Sequence, residues 1–255
     1  MAEDGGRIVD NVDKEHYHVA EYGSGAELST GHVVHLVKPN SGTIWDSAVD
    51  FESKIFDDRG YIENKDDLVV EYEKYLPHTS MMLNIKGDLA GGDIVACARI
   101  IDYSPSIGFR TLNDATEDLP EGMSLSISEE GWRLVRDIGE ENMIEVATIS
   151  GSGDSGAELY GAFGRLGIDM RPSRPWLIAS LSNGAYNGAI KPLFGDAVTE
   201  LGPTVEYYGV PTTPLIVNLI RGWDNISSLA VTVRDDAYYS GIFDRIAKAR
   251  GTELA

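Results

Sequence analysis

The sequence predicts an α/β domain, and three stretches carry the prediction. Met143–Leu166 runs from an apolar strand, interrupted only by Glu145, through Gly151, Gly153 and Gly156 into a segment where Ala157, Leu159, Ala162, Phe163 and Leu166 recur at helical spacing. Ser80–Lys86 and Ile94–Ile101 flank a glycine-rich connection and read as an antiparallel hairpin. Pro175–Leu181 reads as a buried strand and is followed by a helical pattern from Asn183 to Phe194.

The bulk composition narrows the classes of function. A chain of 255 residues buries a substantial core. Its 42% hydrophobic and 24% charged content is ordinary for a globular protein. No apolar run approaches the roughly 20 residues of a membrane span, so none is expected. The opening Met-Ala-Glu-Asp-Gly-Gly-Arg lacks the basic and apolar regions of a signal peptide. Cys97 is the single cysteine and has no internal disulfide partner, which fits a cytoplasmic location. The net charge of −20 speaks against broad nucleic-acid binding, which needs a basic face. Acidic residues are spread along the chain, as on a solvated surface.

In chain order, residues 1–30 read as a polar N-terminal arm. His16 and His18 lack neighbouring ligands for a metal, and no metal site is expected. Residues 31–220 read as the main domain and 221–255 as its strand–helix extension. His32–Lys38 alternates as a strand does, and Ile44–Phe56 follows as a helix with Trp45, Ala48, Val49, Phe51, Ile55 and Phe56 on one face. Leu68–Tyr75 is ambiguous between strand and helix, and Pro77 is expected to close it.

Arg99 lies in a strand apolar on both faces, so its guanidinium needs a carboxylate or a polar cleft. Tyr103–Glu141 is long and poorly periodic, as a lid, an insertion or a cover over an edge is, with a helical turn or two at Glu129–Val135. After the second buried strand, Pro192 is expected to shorten the helix from Asn183. Ala197–Leu201, Val205–Gly209 and Leu215–Ile220 are strand candidates. Leu229–Val233 and a helix from about Ala237 to Ala249 end the chain.

The glycine run after Ser150 has its own chemical reading. A strand, a glycine loop and a helix N-terminus form an anion cradle, because glycines let backbone N–H groups converge at the positive end of the helix dipole. Neither the P-loop nor the dinucleotide glycine spacing is present. An ordinary strand-to-helix turn accounts equally well for these residues, and Asp154 sits uneasily beside an anion.

This order of elements resembles the GNAT acyltransferase fold. Within it the chain is similar to the branch of acyl-homoserine-lactone synthases and long-chain N-acyl amino acid synthases. The resemblance rests on Phe51-Glu-Ser-Lys-Ile-Phe56 with Tyr61, Glu71-Tyr-Glu-Lys-Tyr75, Ala98-Arg-Ile-Ile101, Ile144-Glu-Val-Ala-Thr148, Leu201-Gly-Pro and Tyr208-Gly-Val-Pro-Thr-Thr-Pro214. It implies a mixed, mostly antiparallel central sheet flanked by helices.

The lactone synthases carry an acidic pair before the hairpin, an arginine on its second strand and a Glu-x-x-Arg on the central strand. Glu73 matches the first acid and Leu76 stands in place of the second. Arg99 matches the strand arginine. Glu145 matches the central glutamate, and Thr148 stands where the arginine belongs. Two polar groups expected around S-adenosylmethionine are thus missing, so a different amine acceptor is expected.

The resemblance implies an N-acyltransferase that takes an acyl group from acyl-CoA or an acyl carrier protein, with no permanently bound cofactor. Glu73, Arg99 and Thr148 would bind the acceptor. Ser150, Gly151, Gly153 and Gly156 would hold the donor phosphate. Glu145 is the candidate base, or alternatively an ion-pair partner of Arg99. Tyr186 is the candidate acid, or alternatively a core tyrosine. Arg165, Arg171 and Arg174 form a tight basic group that could dock an acidic carrier protein, or could simply complement a helix C-terminus. The competing functions are a non-catalytic module of the same fold that binds an acyl-pantetheine or a protein, and a lactone synthase.

Overall fold

The computed structural model describes residues 17–20, 32–39, 42–58, 60, 72–86, 92–120, 122–151, 159 and 175–222. They build one nine-stranded sheet. Its strands are β1 (Tyr17–Ala20), β2 (His32–Val37), β3 (Thr79–Lys86), β4 (Asp93–Asp102), β5 (Met143–Gly151), β6 (Trp176–Ser182), β7 (Val198–Glu200), β8 (Val205–Tyr207) and β9 (Val210–Asn218). The order is β1-β2-β3-β4-β5-β6-β9-β7, with β8 also paired to β9. Only β5 and β6 run parallel, so the sheet is mixed and mostly antiparallel, as expected.

Alternation along the strands sorts side chains onto two faces. On one face Met82, Ala96, Ala98, Ile100, Ile144, Val146, Leu177, Ala179, Leu215 and Val217 pack under Leu159, Tyr186, Ile190 and Phe194. The last three come from residues 183–194, here called α4. The opposite face is covered by α1 (Thr43–Asp58) over Met81, Leu83, Ile85 and Cys97. Beside it lie a 3-10 turn (Glu73–His78), α2 (Arg110–Asn113) and α3 (Glu129–Ile138), over Ile101, Met143, Ala147, Ile178 and Ile216.

Several elements differ from expectation, each for a local reason. Tyr17–Ala20 lies within the expected arm yet pairs antiparallel with β2, because an open strand edge accepts any extended backbone. Pro77 does not close its segment. It sits inside the 3-10 turn, which buries Tyr75 and leads directly into β3. Of the readings open for the long stretch 103–141, the cover is the one that fits, since it packs on the sheet and buries Phe109, Leu112 and Leu125. Within it α3 is a regular amphipathic helix. Ser128 caps it by accepting from the Gly131 N–H at 3.0 Å, and Gly139 ends it at φ 83°.

Pro192 does not shorten α4. A π turn at Tyr186–Ile190 precedes Lys191–Phe194, and the Lys191 N–H reaches back to the Tyr186 carbonyl. The widened turn accommodates a ring that would clash in a regular helix. β9 begins at Val210 and carries Pro211 and Pro214, where a strand from Leu215 was expected. The Pro214 carbonyl still accepts from the Leu201 N–H at 2.8 Å. The strand and helix expected after Leu229 lie outside the described residues, and no described helix is long and apolar enough to cross a membrane.

The loop before α3 and the turn after β7 meet backbone to backbone. The Leu201 carbonyl accepts from the Ser128 N–H at 2.9 Å and from Ser128 Oγ at 3.0 Å. A Cβ on Gly202 would lie 1.9 Å from the Ser126 carbonyl oxygen, and one on Gly131 would lie 2.0 Å from that of Leu201. Neither backbone atom can yield cheaply. Gly202→Ala is therefore expected to lower the free energy of unfolding by about 2 kcal/mol or more, measured by urea denaturation.

Candidate functional site

The geometry of the site starts with β5. Along β4 the register passes from Arg99↔Thr148 to Ile100↔Val146, so Ala147 is an extra residue in β5. Such a bulge bends its strand and reverses the inward and outward alternation beyond it. Glu145 and Thr148, three residues apart, thereby come to the same face of the sheet. On the other side, β5 pairs with β6 only at Met143↔Trp176, Ile144↔Leu177 and Glu145↔Ile178. Past that point Val146–Gly151 and Ala179–Ser182 part, and among the described residues no strand pairs with the β5 edge toward β6.

A buried polar cluster backs this opening. Glu52 on α1 is fully buried, Arg99 on β4 is 2% exposed and Thr148 on β5 is 4% exposed. The Glu52 carboxylate accepts from Arg99 Nε at 3.3 Å and from Arg99 Nη2, and also from Thr148 Oγ1. The Arg99 guanidinium lies 4.3 Å from the Tyr72 ring centroid and 5.8 Å from that of Trp45. Arg99 therefore found its carboxylate, but the partner is Glu52 and not Glu145. The signal was in the sequence: Trp45, Ala48, Val49, Glu52 and Ser53 form the buried stripe of α1, and a carboxylate in such a stripe must be paired.

Glu145 is buried at 1% exposure and fully engaged elsewhere. Oε2 accepts from the Arg110 N–H at 2.7 Å, and Oε1 accepts from the Thr111 N–H at 2.7 Å and Thr111 Oγ1 at 2.6 Å. The carboxylate thus caps the first turn of α2. Burial raises its pKa, and these donors oppose the rise. Arg110 continues the network, donating from Nη1 to Tyr72 Oη and from Nη2 to Tyr207 Oη, each at 2.5 Å. Its Nε lies 3.3 Å from Asp114 Oδ2, to which Tyr207 also donates. Tyr72 stands between the two arginines, its ring under both guanidiniums and its hydroxyl 3.5 Å from the Ala147 carbonyl. Arg110, Tyr72, Tyr207 and Asp114 had no periodic signal, because they come from segments that meet only in the tertiary structure.

Solved structures similar to this chain include the following three. FeeM, an N-acyl amino acid synthase from uncultured soil microbes, matches with a TM-score of 0.52 and 14% identity over 76% of this chain and 94% of its own. The fold is GNAT-like. The acyl-homoserine-lactone synthase LasI matches at a TM-score of 0.44 and 15% identity over 74% of this chain and 90% of its own. TofI matches at 0.47 and 13% over 77% and 95%. No protein-family model matches the sequence, and no curated protein matches it.

Within this GNAT-like frame the remaining site residues fall into place or out of it. Both Glu145 oxygens accept hydrogen bonds from α2. Tyr186 is 6% exposed and donates to Glu200 Oε1 at 2.7 Å, which with burial pushes its pKa up to about 12. Glu200 lies on β7, separated from β6 by β9, so the hydroxyl is turned away from the opening and toward the far edge of the sheet.

Glu73 is exposed on the 3-10 turn and does not join Arg99 and Thr148. Ser150 is fully buried. A Cβ on Gly151 would lie 2.5 Å from Cβ of Ala96, so close strand packing accounts for this glycine. Gly153, Asp154, Gly156, Arg165, Arg171 and Arg174 lie outside the described residues. Among the described residues no group of three or more His, Cys, Asp or Glu is placed to hold a metal.

Truncating one member of the Glu52–Arg99 pair strands a buried charge. Arg99→Met is expected to cost about 3–5 kcal/mol in thermal or urea unfolding. The double variant Glu52→Leu/Arg99→Met is expected to recover a large part of that loss.

Proposed function

We propose that this protein is an N-acyltransferase that moves an acyl group from a pantetheine thioester to a small amine such as an amino acid. The observation that carries the reading is the parting of β5 from β6 beside the bulge at Ala147. An unpaired strand edge accepts an extended chain through its main-chain N–H and C=O groups, and the amides of a pantetheine arm have that form. A backbone N–H on the same edge would polarise the thioester carbonyl as the oxyanion develops. The likeness to an N-acyl amino acid synthase supports an amine acceptor. Thr148 in place of an arginine weighs against S-adenosylmethionine.

The residues divide the labour as follows. The backbone of Ser150 and Gly151, with Gly153 and Gly156 beyond, holds the donor phosphate. Arg165, Arg171 and Arg174 dock an acyl carrier protein, and acyl-CoA serves as the smaller donor. The amine attacks the thioester directly. Cys97 is fully buried, and burial pushes its thiol well above the ordinary range, which disqualifies it as a nucleophile. Acyl donors of this kind place the protein in the cytoplasm.

A second reading, a non-catalytic module that binds an acyl-pantetheine, is favoured by one observation: Glu145 is engaged as a helix cap. Incubating the protein with acyl-CoA or acyl carrier protein and an amino-acid pool separates the two. N-acyl products detected by mass spectrometry support the transferase, whereas binding without product supports the module. With an active protein, Glu145→Gln is expected to lower the unfolding midpoint while leaving kcat within about tenfold of wild type. A larger fall in kcat in a folded variant would return Glu145 to the reaction, since loss of a general base typically costs about 10²–10⁴-fold.

A further inference from the structure

The acyltransfer reading leaves the proton of the attacking amine without an acceptor, since Glu145 caps α2 and Tyr186 is bound to Glu200. One other buried carboxylate reaches β5 beside the opening. Glu52 is held from α1 against Arg99, and Thr148 Oγ1 donates its proton to Glu52 Oε1. Thr148 is the first residue past the bulge, on the stretch of β5 that has left β6. Because its hydroxyl donates toward Glu52, the oxygen's lone pairs point elsewhere and are able to accept an N–H.

We infer that Thr148 and Glu52 form a two-step proton relay for the acceptor amine, an inference that rests on the acyltransfer reading above. The nitrogen lone pair forms the C–N bond at the thioester carbonyl. The surplus proton on nitrogen passes to Thr148 Oγ1 as the hydroxyl's own proton passes to Glu52 Oε1. The C–S bond breaks, sulfur leaves with the electron pair as a thiolate, and the proton on Glu52 returns through Thr148 to that thiolate. Thr148 and Glu52 end as they began, so the cycle needs no other reactant. Arg99, bonded to both Glu52 oxygens, holds the carboxylate in place against Thr148. The nitrogen of a tetrahedral adduct is far more acidic than a free ammonium, so a paired carboxylate suffices to take its proton. Thr148 is the catalytic residue here. Arg99 is a positioning residue.

Glu52 variants strand Arg99 and are poor tests, so the experiment rests on Thr148. Thr148→Val keeps the shape of the side chain and leaves the Glu52–Arg99 pair untouched, while Thr148→Ser keeps the hydroxyl. With acyl-CoA and the best amine found for the wild type, Thr148→Val is expected to lower kcat by about 10²-fold or more. The KM for acyl-CoA should stay within about threefold, because the backbone holds the donor. Thr148→Ser should restore kcat to within about tenfold of wild type. Near-normal kcat in a folded Thr148→Val variant, or equal losses in the Val and Ser variants, overturns the relay alone. Binding without product from the wild type itself overturns the acyltransferase reading, and the relay falls with it.

Discussion

The fold around the site depends on one irregularity, the extra residue at Ala147 in β5. Without it, strict alternation would put Glu145 and Thr148 on opposite faces of the sheet. With it, both carry their side chains to the face covered by α1 and α2, where Glu145 caps one helix and Thr148 meets a carboxylate from the other. The same strand leaves β6 after Glu145. A bulge, a parting of strands and a buried polar cluster thus coincide within a few residues. A sheet tolerates such an opening because β4 continues to satisfy the other edge of β5 through Gly151.

Burying charge in this region is costly, and the structure offsets the cost by pairing. Arg99 is bonded to Glu52 and stacked on Tyr72. Arg110 is bonded to Tyr72, Tyr207 and Asp114. Glu145 has three donors from α2. Burial still raises the pKa of Glu145 and of Asp114 against the pull of their partners. Tyr72 makes the two clusters one unit, since its ring lies under both guanidiniums. A displacement at either arginine is therefore felt at the Ala147 carbonyl, to which the Tyr72 hydroxyl turns.

The elements that sequence alone located are those with a strong period. The hairpin of β3 and β4, the helix α1, the strands β5 and β6 and the helix from Asn183 each announce themselves by apolar spacing. Missed or misjudged were short elements and proline effects: the edge strand Tyr17–Ala20, the turn carrying Pro77 and the π turn before Pro192. The edge strand found its partner in β2, and single-residue propensity says nothing of neighbours.

For the site the division is sharper. From the sequence it followed that Arg99 needed a carboxylate and that Glu145 interrupted an apolar strand, and the resemblance implied that this strand is the central one. Which carboxylate met which cation was decided by the tertiary structure. Glu52 lies 47 residues from Arg99 and 96 from Thr148, and only the packing of α1 on β4 and β5 brings the three together. The bulge completes the arrangement by turning Thr148 to that face. Local pattern determines which way a residue faces along its own element. Pairing between elements is a property of the packed chain, and here it is pairing that made Glu145 a helix cap and left Glu52 beside the opening.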